Sequence, residues 1–439
     1  MKLEQVKRKI SKLKIDDLAK RSGFQKREPR KIDIVGLIGG FWLTMFSPAF
    51  SMTRWSRNIG LIQDCFVSKQ ALHKRLCAEH SLGQQLLEKV LQHPLTKPLQ
   101  IAKDKGLFKS FTNVLIEDST CISLPTTLAK LFPGSHNRFG ESATARIQLR
   151  MSLLDEQYSH IELHSFRYND AKYAKQIVPS LKKADLVIRD LGYWSLAVFK
   201  QIADKGAFFL SRYRYGTSLM DQNGTPIALA KRLKKALKEG KTIVDMPILI
   251  GQKAQLPVRF VAIKVPQNIA LQRKRAAKKN RDRRLKHKQD YYDLLDWTLF
   301  ITNVEVNTWD SKSILQAYRL RWRIEMIFKC WKSKLKFDQL FHKKQSFNPN
   351  GGQLIVYLAL ATLALFYAPW YNYFAVKVYE QTHKFVSPFK FADFVKEHFW
   401  ELLLPKTKWK ELVPWVAYYC TYENRTRQNH FDLLYHTLS

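Results

Sequence analysis

Residues 318–337 read YRLRWRIEMIFKCWKSKLKF and place one carboxylate, Glu325, among seven lysines and arginines. If this stretch forms one helix at about 100° per residue, a single face presents seven residues: Tyr318, Arg321, Trp322, Glu325, Lys329, Lys332 and Lys336. Arg321 and Lys329 each lie four residues from Glu325, so the carboxylate can simply bridge its basic neighbours on a solvated surface. Periodicity alone therefore leaves two interpretations of Glu325 open, a counter-charge and a catalytic group.

Two aspartates stand where a metal site would need them. Asp118 follows the apolar run VLIE, and Asp190 follows LVIR, each at the end of a predicted strand. Carboxylates at the ends of neighbouring strands can converge, and a glutamate from a packed helix can complete a set of the oxygen ligands that Mg²⁺ prefers. Two such ions about 4 Å apart activate the attacking oxygen and stabilise the leaving oxygen in phosphodiester chemistry. Aspartate is also a common turn residue, so neither position alone indicates a site.

Other candidate ligand sets are weaker. Glu117 precedes Asp118 and should point to the opposite face of the strand. His160 and His164 share a strand face, but no third ligand is evident, so we do not expect zinc there. The sequence contains no GxxxxGK[ST], GxGxxG or HExxH, which argues against ATP-driven, dinucleotide-dependent and zincin-type functions.

The charge of the chain points to a polyanionic partner. Lysines and arginines number 74 against 37 acidic residues, for a formal net charge of +37. Nucleic acid is the first candidate for such a surplus, and an anionic membrane surface is the second. Five scattered cysteines without a CxxC pair indicate a reducing compartment. The charged start MKLEQVKRKISKLK shows no secretory signal, so we expect a cytoplasmic, DNA-associated protein.

Composition and periodicity predict an α/β protein with a mixed sheet. Between about residues 110 and 212 the order is four strands, an amphipathic crossover helix in GYWSLAVFKQIADKG and a fifth strand, with Asp155 to Gln157 in a hairpin turn. WTLFITNV, residues 297–304, reads as a buried strand before the Glu325 helix. We expect five segments: a helical N-terminal DNA-binding region (1–105), a first core part (106–212), a β-rich insertion with a basic arm (213–295), a second core part (296–385) and a helical C-terminal region (386–439).

Two basic segments each admit two interpretations. Ser68 is a candidate N-cap for the helix KQALHKRLC, which with the preceding helix suggests a helix-turn-helix, although two ordinary surface helices fit equally well. Residues 273–288 hold ten lysines and arginines against Asp282 alone. This run is either a solvated helix or, as we favour from the charge of the whole chain, an arm that contacts phosphates.

A long apolar run lies between residues 351 and 376. It contains no charge and is long enough to cross a membrane. It also contains Gln353, Asn372 and Pro369, and the chain has no second span of this kind. We therefore favour a core helix broken near Pro369 over a membrane helix, and no membrane partner.

The acidic positions and their spacing resemble a known family. Tyr318, Arg321, Glu325 and Lys332 follow the Y-x2-R-x3-E-x6-K spacing of the YREK signature in bacterial DDE transposases of the insertion sequence 4 type. IEDST with Asp118 and VIRDLGYWS with Asp190 are similar to the first and second acidic motifs of that family. The likeness spans about residues 50 to 380.

This resemblance implies a fold and a chemistry. The fold would be a ribonuclease H-like catalytic core interrupted by the β-rich insertion. Asp118, Asp190 and Glu325 would be the catalytic, metal-binding triad, holding two Mg²⁺ or Mn²⁺ ions per active site. Residues expected to contact DNA are Tyr318, Arg321, Lys329 and Lys332, together with Trp297, which lies where some relatives stack a tryptophan on a flipped base.

The implied function is cut-and-paste DNA transposition. The enzyme would bind the terminal inverted repeats in double-stranded DNA as a homodimer in the synaptic complex. It would then hydrolyse a phosphodiester at each transposon end and transfer strands, through a hairpin intermediate in the manner of YREK relatives. The alternative is a non-catalytic basic DNA-binding regulator derived from a transposase.

Overall fold

The structure is a computed structural model and describes the following ranges: 2–29, 31–47, 49–78, 81–92, 106–135, 141–279, 288–341 and 347–423. The chain divides into two compact units. The first comprises the described residues within Met1–Ile101, Ser119–Tyr168 and Arg323–Asp432. The second comprises those within Ala102–Asp118, Asn169–Trp322 and Leu433–Ser439.

The helices that the structure describes, apart from short 3₁₀ segments, run as follows. The first nine are α1 (Lys2–Lys12), α2 (Ile15–Arg21), α3 (Ile34–Met45), α4 (Met52–Gln63), α5 (Lys69–Leu76), α6 (Leu82–Gln92), α7 (Asp170–Tyr173), α8 (Leu196–Asp204) and α9 (Leu229–Lys238). The rest are α10 (Gln267–Lys279), α11 (Gln289–Leu294), α12 (Ser311–Arg319), α13 (Trp322–Ser333), α14 (Pro349–Thr362), α15 (Ala368–Thr382), α16 (Pro388–Glu397), α17 (Phe399–Leu402) and α18 (Val413–Tyr419).

One mixed sheet of nine strands is built from the described residues. The strands are β1 (Asn113–Leu124), β2 (Ala143–Ser152), β3 (Tyr158–Ser165), β4 (Asp185–Arg189), β5 (Phe208–Arg212), β6 (Leu219–Met220), β7 (Ile243–Ile250), β8 (Leu256–Lys264) and β9 (Trp297–Thr302). Their order in the sheet is β3-β2-β1-β4-β5-β9-β8-β7-β6. The predicted mixed α/β class is confirmed.

The first five strands lie together in the sheet, in the order β3-β2-β1-β4-β5. β1, β4 and β5 run parallel, whereas β2 and β3 form an antiparallel hairpin whose turn contains Asp155 to Gln157, as predicted. The amphipathic helix α8 connects the parallel strands β4 and β5. A crossover of this kind is required because parallel neighbours cannot be joined by a tight turn. The predicted order of four strands, helix and strand is therefore confirmed.

The insertion extends this sheet. β9 pairs antiparallel with β5 on one side and with β8 on the other, and β8 pairs with β7. All six residues of β9 are buried, which fits its central position and its apolar sequence WTLFIT. The strands of residues 213–295 therefore continue the core sheet through β9 and do not form a separate sheet.

The N-terminal hundred residues are helical where the structure describes them. Ser68 caps α5, since its hydroxyl accepts a hydrogen bond from the Ala71 N–H at 3.1 Å, as predicted. α4 and α5 are separated by a short turn in which Phe66 is 99% exposed. The two elements of the helix-turn-helix interpretation are thus present, and DNA reading by α5 stays a prediction. Residues 280–287 of the basic arm and 424–439 of the C-terminal region lie outside the described residues.

The long apolar run is a core helix of the first unit. Pro349–Thr382 is long and apolar enough to cross a membrane by length and composition, but 83% of its most apolar window is buried within the protein. α6 packs against α14 so closely that a Cβ on Gly83 would lie 2.6 Å from Tyr357 Cβ. The expected break near Pro369 was wrong: Leu363–Tyr367 winds as a π-helix and the helix continues. A π-helical turn shifts the hydrogen bonds where proline lacks an N–H group, so the chain need not break.

Candidate active site

The parallel pairing of β1 and β4 places two acidic positions side by side. Glu117 lies opposite Arg189 in the register, so Asp118 and Asp190 are the next residues along the two strands. β4 ends at Arg189, as predicted, but β1 continues to Leu124, so the predicted strand end at Asp118 was wrong. Glu117 points to the other face, where it forms a fully buried ion pair with Arg189 at 2.5 Å. This alternation is the one that a strand requires, and it separates a structural carboxylate from a more exposed neighbour.

The glycine of the motif that follows Asp190 packs closely against a neighbouring carboxylate. A Cβ on Gly192 would lie only 3.0 Å from a carboxylate oxygen of Asp170. The next residue, Tyr193, is almost fully buried, and burial together with nearby carboxylates, Glu117 foremost, raises the pKa of its hydroxyl well above the usual value. The Asp-x-Gly-Tyr sequence therefore forms a tight, neutral support beside Asp190.

Two of the residues predicted to contact DNA form hydrogen bonds with the two aspartates. The Tyr318 hydroxyl is 3.2 Å from Asp190 Oδ1, and Arg321 Nη1 is 3.1 Å from Asp118 Oδ2. Burial raises the pKa of Tyr318, so its hydroxyl remains a hydrogen-bond donor. The Arg321 guanidinium also lies 5.7 Å from the centre of the Tyr318 ring. We call Asp118, Asp190, Tyr318 and Arg321 the strand-end site.

The helix that carries these residues is not continuous, as the wheel over 318–337 assumed. α12 ends at Arg319 and α13 begins at Trp322, and between them the Arg321 N–H bonds the Tyr318 carbonyl at 3.1 Å. Lys336 lies beyond α13 with φ 52°, so it does not share the predicted face. Tertiary contacts override helix propensity here, because the turn coincides with the ion pair between Arg321 and Asp118.

Glu325 and Lys332 lie on α13, in the first compact unit. Glu325 is half-buried in the first turn of the helix, and Lys329 is exposed one turn later. Lys332 donates a hydrogen bond from Nζ to the Cys121 carbonyl of β1 at 2.8 Å. The structure thus brings together Asp118, Asp190, Tyr318 and Arg321, and it separately anchors Lys332 to a strand.

A buried ion pair fixes α13 within its unit. Arg323 Nε donates to Glu156 Oε1 at 3.1 Å, and Arg323 Nη2 donates to the other oxygen of the same carboxylate. The guanidinium lies 4.8 Å from the centre of the Tyr371 ring, and the Glu156 carbonyl accepts from Asn372 at 2.6 Å. Although burial opposes the charge, Glu156 raises the pKa of Arg323 well above its usual value. We call Arg323 and Glu156 the clamp pair; sequence periodicity gave no signal for it.

The two tryptophans near the site differ in exposure. Trp297 opens β9 and is only 2% exposed, with Arg273 donating to its carbonyl at 3.0 Å. Stacking on a base would require it to leave the core, and that role stays a prediction. Trp322, beside Arg321, is 40% exposed and is the better placed aromatic for a nucleic acid. The only signal for it in the sequence was its position on the same predicted face as Tyr318 and Glu325.

The donor set of the strand-end site suits a hard divalent cation. Asp118 and Asp190 offer carboxylate oxygens, which Mg²⁺ and Mn²⁺ prefer. Across the described ranges, no group of three or more His, Cys, Asp and Glu side chains is arranged to hold a metal ion. On β3, Glu162 lies between His160 at 3.2 Å and His164 at 3.3 Å and binds them directly. The metal triad of Asp118, Asp190 and Glu325 stays a prediction.

Comparison with known proteins places the chain among transposases. Residues 109–359 match the family described as "Transposase DDE domain". The transposase for insertion sequence element IS231F of Bacillus thuringiensis subsp. israelensis is 25% identical over 363 residues, 78% of this chain and 75% of the relative. The transposase for insertion sequence element IS1151 of Clostridium perfringens is 30% identical over 253 residues, 54% of this chain and 53% of the relative. A piggyBac transposase in a synaptic complex with hairpin DNA covers 92% of this chain and 79% of its own, with 9% identity and a TM-score of 0.39.

These matches define an enzyme class, a transposase that cleaves DNA and transfers its strands. The chain belongs to the DDE transposase family, whose model matches more than half of its length. DNA is therefore its substrate, and divalent metal dependence is a general property of this family. The similarity to the transposases of insertion sequences agrees with the family that the YREK spacing predicted.

Proposed function

We propose that this chain is the transposase of a bacterial insertion sequence, acting in the cytoplasm, and that Asp118, Asp190 and Glu325 are its catalytic residues. It binds the terminal inverted repeats of its element as a homodimer. The observation that carries the proposal is the pair of aspartates on the adjacent parallel strands β1 and β4, Asp118 within β1 and Asp190 directly after β4, each contacted by a residue of the YREK signature. The five predicted segments serve as its working domain division.

The proposed metal ions are two Mg²⁺ or Mn²⁺, held by the three carboxylates. When bound, they supply an activated water and neutralise the charge that develops on the leaving oxygen. The chain's own residues hold and orient the DNA. Lys332 is anchored to the Cys121 carbonyl and so presents its charge from a fixed position, whereas Lys329 is exposed and adapts to the nearest phosphate.

The strand-end site implies an exchange of partners. Arg321 neutralises Asp118 through one nitrogen, and Tyr318 donates to Asp190. An arginine binds phosphate well because its planar fork matches the phosphate oxygens. We propose that the DNA backbone takes Arg321 and Tyr318 from the aspartates as the carboxylates take up metal. Trp297 can stack on a base only if its side chain leaves the core when DNA binds.

The reaction begins with hydrolysis and a transesterification; on the hairpin route, a second hydrolysis must then open the hairpin and free the 3′-hydroxyl again before it attacks target DNA. Water attacks the phosphodiester at the element's end and releases a 3′-hydroxyl. That hydroxyl then attacks the opposite strand to form a hairpin, or attacks target DNA directly. We propose the hairpin route, since it is the one implied by the YREK resemblance.

The test is cleavage of DNA that flanks the native reading frame, with and without Mg²⁺ or Mn²⁺. Wild type should cleave only with metal, and Glu325→Gln should bind the same duplex and leave it intact. A hairpin product is a single strand of double length on a denaturing gel. If the products have nicked or open linear ends and no hairpin is found, the hairpin route is contradicted. Binding without cleavage by wild type would instead support the non-catalytic regulator.

A further inference from the structure

We propose that α9, in the insertion, is a second DNA-contact surface that holds double-stranded DNA through its phosphates without reading bases. The surface consists of Lys231, Arg232, Lys234, Lys235 and Lys238, which we call the α9 face. The proposal rests on the proposed function only in taking DNA as the partner. It assigns a binding site to residues outside the YREK signature and outside the basic arm.

The insertion concentrates the charge of the chain. Residues 213–295, 83 of 439, hold 20 lysines and arginines against 6 acidic residues. This surplus of 14 is more than a third of the total net charge of +37 within about a fifth of the chain. Such a local excess creates a positive potential that attracts a polyanion.

The charges of α9 all lie on one side of the helix. Its sequence, LAKRLKKALK, contains five cations and no acid. The apolar residues pack inward, with Leu233 1% exposed and Leu229, Ala230 and Ala236 at 6 to 7%. All five cations are exposed. The helix therefore turns an uninterrupted basic face to solvent.

This face is poorly explained as a solvated surface. Lys231 and Lys235 are one helical turn apart, as are Lys234 and Lys238, and like charges at this spacing destabilise a helix. A surface selected for solubility alone would alternate lysine with glutamate. Of the five cations only Lys234 forms an ion pair within the part of the chain that the structure describes, with Asp293 at 2.6 Å. Glu239, directly after the helix, offsets part of the charge of Lys235, but it is itself held by Lys241 at 2.8 Å. The remaining repulsion is relieved when a polyanion binds.

The dimensions fit a DNA backbone. From Lys231 to Lys238 the helix rises about 10 Å along its axis, and one strand of a duplex carries a phosphate about every 3.4 Å of its axis. The face can thus meet about three phosphates of one strand. Four of the five cations are lysines, which contact phosphates as flexible point charges.

Neighbouring α10 is less free to serve this role. Arg273 donates to the Trp297 carbonyl and the Thr298 hydroxyl, and Lys274 pairs with Asp296 at 2.6 Å. These two cations hold the insertion to β9. Within the part of the insertion that the structure describes, the α9 face has four exposed cations outside any ion pair, against three on α10, Arg275, Lys278 and Lys279.

The test compares two triple variants that remove the same charge. Lys231→Gln, Lys235→Gln and Lys238→Gln remove three cations of the α9 face. Lys183→Gln, Lys200→Gln and Lys253→Gln remove three exposed lysines elsewhere in the same compact unit. Affinity for a random-sequence duplex is measured between 50 and 200 mM salt. The slope of log affinity against log salt is negative, and each phosphate that a lysine no longer neutralises reduces its magnitude by about 0.9. The α9 triple variant should therefore reduce the magnitude by about 2 to 3, and the control triple by much less.

Folding and DNA cleavage of the variants are measured in separate experiments. Glutamine is a good helix former, so circular dichroism of the α9 triple should match wild type. Metal-dependent cleavage at saturating protein should survive in the α9 triple, whereas Glu325→Gln should lose cleavage and keep the salt slope. A slope equal to wild type in the α9 triple, or equal reductions in both triples, would overturn the proposal. Absence of cleavage in wild type would overturn the proposed function, but the comparison of the salt slopes would still test the α9 face.

Discussion

Two arginines only two residues apart have different partners. Arg321 donates from Nη1 to Asp118 at 3.1 Å, and the two side chains are 7% and 18% exposed. Arg323 binds Glu156 through two nitrogens, with Tyr371 against its guanidinium, and the two side chains are 5% and 10% exposed. Both arginines are buried; the carboxylate is more exposed in the first pair, and the second pair is bidentate.

This difference separates residues expected to take part in the reaction from residues expected to stabilise the fold. Removing one partner of a buried pair leaves a charge without compensation, which is strongly destabilising. A single contact at a partly exposed carboxylate is weaker and can be replaced by a phosphate or a metal ion. Substitution in the strand-end site should therefore reduce function, and substitution in the clamp pair should reduce stability.

The largest expected effect is on catalysis. Asp190→Asn should reduce metal-dependent cleavage by at least about 10³-fold, because removal of a metal ligand costs several kcal/mol of transition-state stabilisation. The melting temperature should stay close to wild type. The control is Asp204→Asn, an exposed aspartate at the end of α8, which should cleave normally. Comparable cleavage by the two variants in single-turnover assays would exclude Asp190 from the site.

The clamp pair should show the opposite behaviour. Arg323→Met should lower the free energy of unfolding by about 3 to 5 kcal/mol, since Glu156 is left buried and unpaired. Adding Glu156→Leu removes the stranded charge and should restore much of the stability. Urea unfolding of the two variants measures this. A decrease below about 1 kcal/mol in the single variant would show that the pair contributes little.

Substitution of Arg321 tests whether this arginine contributes to DNA binding or to stability. Arg321→Gln should weaken binding of the transposon end by about 1.5 to 3 kcal/mol, the range of a hydrogen bond to a charged group. Its unfolding free energy should change much less than that of Arg323→Met. Binding is measured by fluorescence anisotropy with a labelled end duplex. Unchanged binding together with reduced stability would mean that Arg321 is a second structural clamp.

The smallest effect concerns three half-buried side chains on β3, Glu162 with His160 and His164. Hydrogen bonds from His160 and His164 hold the pKa of Glu162 well below its usual value. Since the pKa of the folded state is below that of the unfolded state, the stabilisation is present above about pH 4.3 and is lost as pH falls toward the folded value. Glu162→Gln should therefore flatten the decline of stability below about pH 5. An identical acid profile in the variant would contradict the assignment.

Local sequence signals predicted the elements well. Alternation and turn residues located the β2–β3 hairpin, and the amphipathic pattern of α8 located the crossover. Ser68 was predicted as a cap because its hydroxyl acts within its own first helical turn. Asp190 follows the end of β4, as the apolar run LVIR predicted, whereas Asp118 lies in the middle of β1 and not at its predicted end. In each confirmed case the cause lies within a few residues of the effect or follows from strand geometry.

The misses depend on contacts distant in sequence. Arg321 meets a carboxylate 203 residues away, and the wheel that joined Tyr318 to Lys336 ignored the turn made there. Arg323 meets Glu156 167 residues away, so its burial was invisible to periodicity. The π-helical turn before Pro369 likewise replaced an expected break. Each outcome was decided by tertiary packing, which no local pattern encodes.

The central claim is that Asp118, Asp190 and Glu325 hold the metal ions that cut DNA. Equilibrium binding of Mn²⁺ to the protein–DNA complex, followed by electron paramagnetic resonance, tests it directly. Wild type should bind two ions per protomer, and Asp118→Asn, Asp190→Asn and Glu325→Gln should each lower ion affinity while DNA affinity is retained. Wild-type Mn²⁺ binding by all three variants would contradict the account.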